Sequence, residues 1–346
     1  MRSSRNRHTQ TSLLGYSLCD ADDFTSTIMQ SDKGLIETRC PGNYRNMVDC
    51  HCEDIQLFID EVRGLSFDNK IISGSSPLID EMGPVIPREW FDQDPSTIDS
   101  EIVGLRIGDI ITPRPTRNTA GILILSDSVC IDLSVLKRPI FQGKKVVLFA
   151  TGIDIVIEKL WYRRFAMNLF KAIATGNFYA VTGMNFSLFL HECPLGHLIN
   201  LNKSLVFCEE LSKLGVPVIP HIYAITDTHR EMWVKWLKNH PNIKTVIINT
   251  QMQRDSASMH EVELTVVALL EGTSVNVILN GRKPKKPLYG LSSRVIVINQ
   301  SNLKNKAIVE NSIARRRLKE LATIEKLISQ HELPRRYVVV RAQMRQ

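Results

Sequence analysis

The sequence has no run of about 18 consecutive apolar residues, so it predicts no membrane-spanning helix. It also lacks a G-x-x-x-x-G-K-[ST] loop, a G-x-G-x-x-G turn after a strand, and a G-x-S-x-G elbow. These absences leave NTPases, dinucleotide-binding enzymes and nucleophile-elbow hydrolases without sequence support. We therefore expect no NAD or ATP site and no membrane partner.

Paired cysteines are also lacking, because the seven cysteines are odd in number and scattered along the chain. This pattern does not suit an extracellular disulfide framework. The polar, basic start of the chain has no apolar run of the secretory type, so we expect a cytoplasmic protein with reduced thiols. Cys40, Cys50 and Cys52 are close enough in sequence to be metal-ligand candidates. The Cys50-His51-Cys52 spacing is tighter than the usual zinc knuckle, and ordinary thiols are the alternative.

What the sequence does have is the composition of a globular protein, with 43% hydrophobic and 23% charged residues. Its net charge of +7 is unevenly distributed. From Arg282 to Gln346 there are 16 lysines and arginines against four glutamates, a balance of +12, which leaves the rest of the chain at −5. Such a basic segment could neutralise the phosphates of a nucleic acid, or it could be a solvated helix face. The candidate phosphate contacts are Lys283, Lys285, Lys286, Arg315, Arg316 and Arg317.

Three regions differ in their patterning. Residues 1–100 are rich in turn formers and predict an irregular extension. Residues 101–300 alternate apolar runs with helical segments, and residues 301–346 predict a basic helix followed by a terminal strand. The runs that read as buried parallel strands are Ile122–Leu125, Val146–Ala150, Tyr179–Thr182, Val216–Ile222, Thr245–Ile248, Val275–Leu279 and Val295–Ile298.

Seven such strands favour a (β/α)8-like (TIM) barrel, with an eighth strand supplied by Ile102–Ile111 or by Tyr337–Val340. A doubly wound open parallel sheet is the alternative, because strand order cannot be deduced from one sequence. The helices between the strands are predicted at Ile155–Ala174, Lys203–Leu214, His229–Asn239, Met259–Glu271 and Leu303–Gln330.

Asparagines end or follow four of the predicted strands, at spacings of 64, 31 and 19 residues. The carboxyl ends of parallel strands form the usual ligand site, so these amides are expected to meet around a polar ligand. Ser187, in the loop after Asn185, and Tyr223, at the end of the Val216–Ile222 strand, are expected to bind the same ligand. The asparagines are Asn185, Asn249, Asn280 and Asn299.

Three residues near the same strand ends are candidates for catalysis. Asp154 and Asp127 each follow a predicted strand, and as neighbours they could supply a general acid and base or hold a divalent metal. A helix cap is the alternative for Asp154. His221 shares a strand face with Tyr223, and its imidazole could act near neutral pH or lie hydrogen-bonded in the core.

The segments Val181–Pro194 and Leu214–Ile222 together resemble an uncharacterised domain-of-unknown-function family of bacterial and phage or mobile-element proteins. The shared pattern is a strand running into an acidic residue, then Phe-Ser-Leu, a nearby proline, a helix, and a Gly-Val-x-Val-Ile-Pro strand. It covers about a third of the chain. This sequence has Asn185 in place of the acidic residue, which puts an acid–base role there in doubt. The resemblance implies a bacterial or mobile-element context and no mechanism.

These patterns lead to three hypotheses about function. The first is an enzyme that acts on a nucleic-acid or nucleotide-like substrate, in which the asparagines contact base edges and the basic segment holds phosphates. The second is a non-catalytic nucleic-acid-binding or scaffold protein. The third is an enzyme for a small polar metabolite, in which the basic segment serves solubility alone.

Overall fold

The computed structural model describes residues 58–117, 123–124, 126, 128–188, 194–251, 253, 256–281 and 292–298. They form a mixed α/β structure that is built on parallel strands, as expected from the apolar runs. The bounds of the strands are β1 Ile102–Arg106, β2 Ile111–Thr112, β3 Thr116–Arg117, β4 Leu123–Ile124, β5 Cys130–Ile131, β6 Lys145–Phe149, β7 Ala180–Thr182, β8 Val218–Ile219, β9 Thr245–Asn249, β10 Asn276–Asn280 and β11 Val295–Ile298.

The parallel strands make two sheets, one with the order β1-β6-β7-β8 and one with the order β9-β10-β11. A parallel bridge between His221 and Ile247 links them, with Ile222 N–H donating to Ile247 O at 2.8 Å and Ile247 N–H donating to Pro220 O at 3.0 Å. A second parallel bridge joins Val85 to Gly104 of β1. Neighbouring parallel strands therefore follow one another in sequence order, from the segment at Val85 through β1 and β6 to β11. The strands β2 to β5 form two separate antiparallel pairs.

The helices lie between the parallel strands in sequence. They are α1 Asp154–Arg163, α2 Leu169–Ala174, α3 Pro194–Lys213, α4 Asp227–Lys238 and α5 Ser256–Gly272. Thr226 caps α4, because its side chain accepts a hydrogen bond from the backbone N–H of His229 at 3.2 Å. Trp233 and Trp236 of α4 are buried and pack edge to face at 5.8 Å, so both belong to the core between helix and sheet.

An apolar cluster joins the two parallel sheets. Its members come from the segment around Val85 and from six strands, and the two members on β6, Val147 and Phe149, are two positions apart, as side chains on one sheet face are. The cluster consists of Ile79, Met82, Val85, Val147, Phe149, Ala180, Ile219, Ile247, Ile278 and Ile298.

The segment before β1 is tied to the amino ends of β9 and β10. The side chain of Thr245 donates to Pro77 O at 2.7 Å, and Ile79 N–H donates to Thr245 Oγ1 at 3.1 Å. The Asn276 amide donates to Ile79 O at 2.8 Å and to Asp80 Oδ1 at 2.9 Å. Buried side chains therefore satisfy the backbone of this irregular segment, which has few strand or helix partners of its own.

Two predictions about the elements were wrong. The 122–125 run is not a strand of the parallel sheet, because Leu123–Ile124 pairs antiparallel with Thr116–Arg117, and β6 has β1 and β7 as its neighbours. The helix expected over 155–174 is two helices separated by a turn. Asn168 stands in that turn with φ of 48°, a left-handed conformation that ends one helix before the next begins.

Of the two candidates for a further parallel strand, the segment at 102–111 is confirmed as a strand over Ile102–Arg106, which pairs parallel with β6. The other candidate, Tyr337–Val340, and the helix at Leu303–Gln330 lie outside the described residues. No helix in the described part of the chain is both long enough and apolar enough to cross a membrane.

Candidate functional site at the carboxyl ends of the strands

The face of the sheets that carries the apolar cluster changes from apolar to polar towards the carboxyl ends of the strands. Ala180, Ile219, Ile247 and Ile278 belong to the apolar cluster. Residues two positions further on point to the same side of a strand. The four residues in those positions are all polar and nearly inaccessible to solvent, and we call them the polar layer: Thr182, His221, Asn249 and Asn280.

The strand register agrees with this reading. Asn249 and Asn280 are partners across β9 and β10, and His221 is the bridge partner of Ile247. Thr182 is the partner of Ile219 across β7 and β8. Because side chains in register on parallel strands lie on the same side of the sheet, each polar group shares a face with a neighbour from the apolar cluster or from the layer itself. Three of the predicted site residues are therefore adjacent strand-end side chains.

Asp154 lies beside this layer as the first residue of α1. The Ser187 hydroxyl donates to its Oδ1 at 2.6 Å. Burial raises the pKa of Tyr223 above its usual range, and the negative charge of Asp154 raises it further. Tyr223 is therefore a neutral phenol at physiological pH, close enough to Asp154 to sense its charge. Its hydroxyl donates to Asn249 O at 3.4 Å.

Two side chains fix the loop that carries Asp154. The Asn185 Oδ1 accepts a hydrogen bond from Gly152 N–H at 2.8 Å, and its Nδ2 donates to Gly152 O at 3.4 Å. Thr182 Oγ1 accepts one from Ala150 N–H at 2.9 Å. The expected role of Asn185 in binding substrate stays a prediction, and the geometry gives its amide a positioning role. Asn200 of α3 completes the support by donating to Ser187 O at 2.9 Å.

His221 is buried against Tyr223, with the two ring centroids 4.8 Å apart. Burial lowers the pKa of His221 to about 3, so the imidazole is neutral at physiological pH. Its Nε2 has no hydrogen-bond partner among the described residues. This environment favours a neutral hydrogen-bonding ring over the proton acceptor near pH 7 that the sequence suggested as one alternative.

Gly183 makes the close packing around His221 feasible. A Cβ atom on Gly183 would lie 2.7 Å from Ser204 Oγ and 2.9 Å from the backbone nitrogen of His221. Cβ atoms in folded proteins essentially never lie within 3.0 Å of such atoms. Only glycine therefore allows β7 to bring Thr182 and the loop after it against His221.

Arg106 is a site residue that sequence reasoning missed. It ends β1 in register with Phe149, which belongs to the apolar cluster, so its side chain starts from the same face of the sheet. Its Nε donates to Asp109 Oδ2 at 3.0 Å, and about a third of the side chain is exposed. The signal in the sequence was a charged residue at the end of an apolar strand. The strand was expected, but its end was placed at Ile111.

Several predicted site residues lie outside the described residues. These are Asp127, Asn299, Cys40, Cys50, Cys52, Lys283, Lys285, Lys286, Arg315, Arg316 and Arg317. The argument for pairing Asp127 with Asp154 was wrong in one respect, because the strand before Asp127 is not the neighbour of β6. Within the described ranges, no three histidine, cysteine, aspartate or glutamate residues are grouped as metal ligands. A divalent metal at Asp127 and Asp154 stays a prediction.

No protein-family model matches the sequence, and no curated protein is significantly similar to it. The resemblance carried by Val181–Pro194 and Leu214–Ile222 therefore stays a prediction.

Proposed function

We propose that the protein is an enzyme that acts on a nucleic-acid or nucleotide-like substrate at the carboxyl ends of its parallel strands. The observation that carries the proposal is the polar layer, four buried polar side chains directly above an apolar cluster. Polar side chains are costly to bury, so a concentration of them at the usual ligand position of an α/β sheet indicates a function.

We further propose that the parallel strands close into a (β/α)8-like barrel. Neighbouring strands follow the sequence order without reversal, and the His221–Ile247 bridge links the two sheets. A doubly wound sheet would reverse its strand order at a switch point, and the described strands have no such reversal. The apolar cluster, which draws on the strands of both sheets, supports the same proposal.

The chemistry of the polar layer suits an uncharged, hydrogen-bonding group such as a nucleobase. Two amides offer donors and acceptors together, and a neutral imidazole offers one of each. No lysine or arginine belongs to the layer. Arg106 at the end of β1 would meet the negative charge of a phosphate outside it, since a guanidinium pairs well with phosphate oxygens.

Asp154 and Tyr223 are the residues that we propose to act on the reacting group. Asp154 is a carboxylate held by Ser187 and is the candidate general base. Tyr223 keeps its proton because its pKa is raised, so its neutral hydroxyl is the candidate hydrogen-bond donor to the group that reacts. The basic segment from Arg282 to Gln346 would hold the phosphates of a longer substrate by a sequence-independent attraction.

Binding of single-stranded DNA and RNA oligonucleotides, titrated with salt, tests the nucleic-acid part of the proposal. We expect the affinity to fall steeply between 50 and 200 mM salt, as it does when several phosphates are neutralised, by about a hundredfold or more. Replacing Lys283, Lys285 and Lys286 by glutamate should abolish most of this binding. Lys235→Glu, at an exposed lysine of α4, is the matched control. Binding that is absent or independent of salt would reject this part.

Product analysis by mass spectrometry tests the enzymatic part. Incubation with nucleotides and oligonucleotides should yield a product that Asp154→Asn no longer forms, while binding persists. A binding protein without activity is the second candidate, and the low pKa of His221 favours it because that ring cannot exchange protons near neutral pH. Equal product formation by the wild type and Asp154→Asn would remove Asp154 from catalysis.

A further inference from the structure

A groove of about 710 Å³ opens at the opposite end of the sheet, beside the amino ends of β6, β7 and β8. Its volume falls in the range of small-molecule sites, about 300–1,000 Å³. Tyr179, Leu136 and Pro217 line it with partly exposed apolar surface. Phe141 and Phe178 also border it but are only 4% and 6% exposed. None of the residues of the polar layer lines this groove, so it is separate from the site described above.

The charges that line the groove are all positive. Lys144 and Lys145 are lining residues, and the lining includes no aspartate or glutamate. The Lys144 ammonium donates to Ile98 O at 2.6 Å and to Ser100 O at 3.1 Å, which fixes a cation at the wall. The Lys145 ammonium lies 5.3 Å from the centroid of the Tyr179 ring.

The ion pair that holds the Lys145 ammonium is weak. Its ammonium pairs with Glu101 at 2.9 Å, but both side chains are about half exposed or more, and such pairs contribute little to stability. An anion in the groove can therefore take the place of Glu101 at small cost. The Tyr179 ring and the Lys145 ammonium over it then present an apolar surface and a positive charge side by side.

We propose that this groove is a binding site for a small aromatic anion, with its ring against Tyr179, Leu136 and Pro217 and its charged group at Lys145. The Tyr179 ring and the side chains of Leu136 and Pro217 provide the apolar contact area, and the two ammonium groups select for negative charge. The site does not depend on the proposed enzymatic function, because it shares no residue with it.

Fluorescence titration of the full-length protein with 8-anilinonaphthalene-1-sulfonate tests the proposal, with the neutral N-phenyl-1-naphthylamine as the uncharged comparison. We expect saturable binding of the sulfonate and binding of the neutral dye that is at least about tenfold weaker, the effect of one good charge pair. Lys145→Glu should weaken the sulfonate by at least the same factor. Leu136→Trp should fill the groove and abolish binding of both dyes.

Glu101→Gln is the most specific variant, because it removes the competing carboxylate and leaves the groove intact. We expect it to tighten binding of the sulfonate about two- to threefold, in the opposite direction to Lys145→Glu. Lys235→Glu, an exposed lysine that is also paired with a carboxylate, is the control and should change nothing. Absence of saturable binding, equal binding of the two dyes, or sulfonate binding unaffected by both Lys145→Glu and Leu136→Trp would overturn the proposal.

Discussion

Two buried asparagines on neighbouring strands show how the amino and carboxyl ends of the sheet differ. Asn276 begins β10 and is 4% exposed, and Asn249 ends β9 and is 5% exposed. Asn276 donates to both Ile79 O and Asp80 Oδ1 at less than 3 Å. The side chain of Asn249 accepts one long hydrogen bond, from Gln251 N–H at 3.3 Å. The same residue type at the same burial is therefore used in different ways at the two ends.

This difference separates the end at which polar side chains hold the fold together from the end at which we propose the ligand site. At the amino ends of β9 and β10, polar side chains satisfy the backbone of residues 76–80, which fastens that segment to the sheet. At the carboxyl ends, buried polar side chains form a layer above the apolar cluster. Stability and function commonly compete in this way, because groups arranged for a ligand are not arranged for the fold.

The largest expected effect comes from packing at the carboxyl end. Gly183→Ala should destabilise the protein by about 3 kcal/mol, because the added methyl group would overlap Ser204 Oγ and the backbone of His221. Urea unfolding, followed by circular dichroism, measures the free energy of unfolding. Gly108→Ala is the control, since a Cβ atom there meets nothing within 4 Å. Equal losses in the two variants would show that Gly183 is not needed for close packing.

The pH dependence of stability should be almost as large. The pKa of His221 is 6.5 in the unfolded chain and about 3 when buried, so only the unfolded state takes up a proton between those values. Stability is therefore present above pH 6.5 and is lost as pH falls, by about 2–3 kcal/mol between pH 7 and pH 4.5 for this one group.

His221→Asn checks the assignment of this acid sensitivity. The variant should lose less stability than the wild type over the same pH interval, as measured by urea unfolding at several pH values. His229, whose pKa burial also lowers to about 3, remains in the variant and accounts for a residual slope. An unchanged slope in His221→Asn would contradict the buried, neutral state of this ring.

The two asparagines themselves give the next effect. Asn276→Ala should cost about 2 kcal/mol, because it leaves the buried carbonyl of Ile79 without its donor. Asn249→Ala should cost less than about 1 kcal/mol, since it removes a single long hydrogen bond. Unfolding in urea compares them directly. A larger loss for Asn249→Ala would reverse the contrast between the two ends.

The smallest expected effect on stability is at Ser187. Ser187→Ala removes one partly buried hydrogen bond to Asp154 and should cost about 1 kcal/mol or less. We expect it to reduce turnover of a substrate more than it reduces stability, because Asp154 would lose its fixed orientation. Ser134→Ala, at an exposed serine, is the control. A loss of activity no greater than in this control would make the Ser187–Asp154 contact incidental.

The α/β class and most of the elements were predictable because buried parallel strands appear in the sequence as continuous apolar runs. Continuous apolar runs located β6 to β11, and the helical segments between them located α3, α4 and α5 to within a few residues except for the start of α3. The run at 122–125 was misread because an apolar segment carries no information about its partner strand. Leu123–Ile124 finds Thr116–Arg117, which is close in sequence and antiparallel.

The position of the candidate site was easier to predict from the sequence than the roles of its residues. Strand alternation and the asparagine pattern led to Asn249 and Asn280, and the strand ends led to His221 and Asp154. Thr182 and Arg106 were missed, since threonine and arginine at a strand end are common and their face depends on the register. The two hydrogen bonds that engage Asn185 join residues 33 positions apart, and local patterns do not reveal such contacts.

Isothermal titration calorimetry of nucleosides, nucleotides and short oligonucleotides, with the wild type and with Asn249→Ala, tests most directly whether the polar layer is a ligand site. The account predicts that at least one of these ligands binds to the wild type and that Asn249→Ala weakens its binding at least about tenfold, without comparable loss of stability. Binding of none of them, or the same affinity in both proteins, would contradict it.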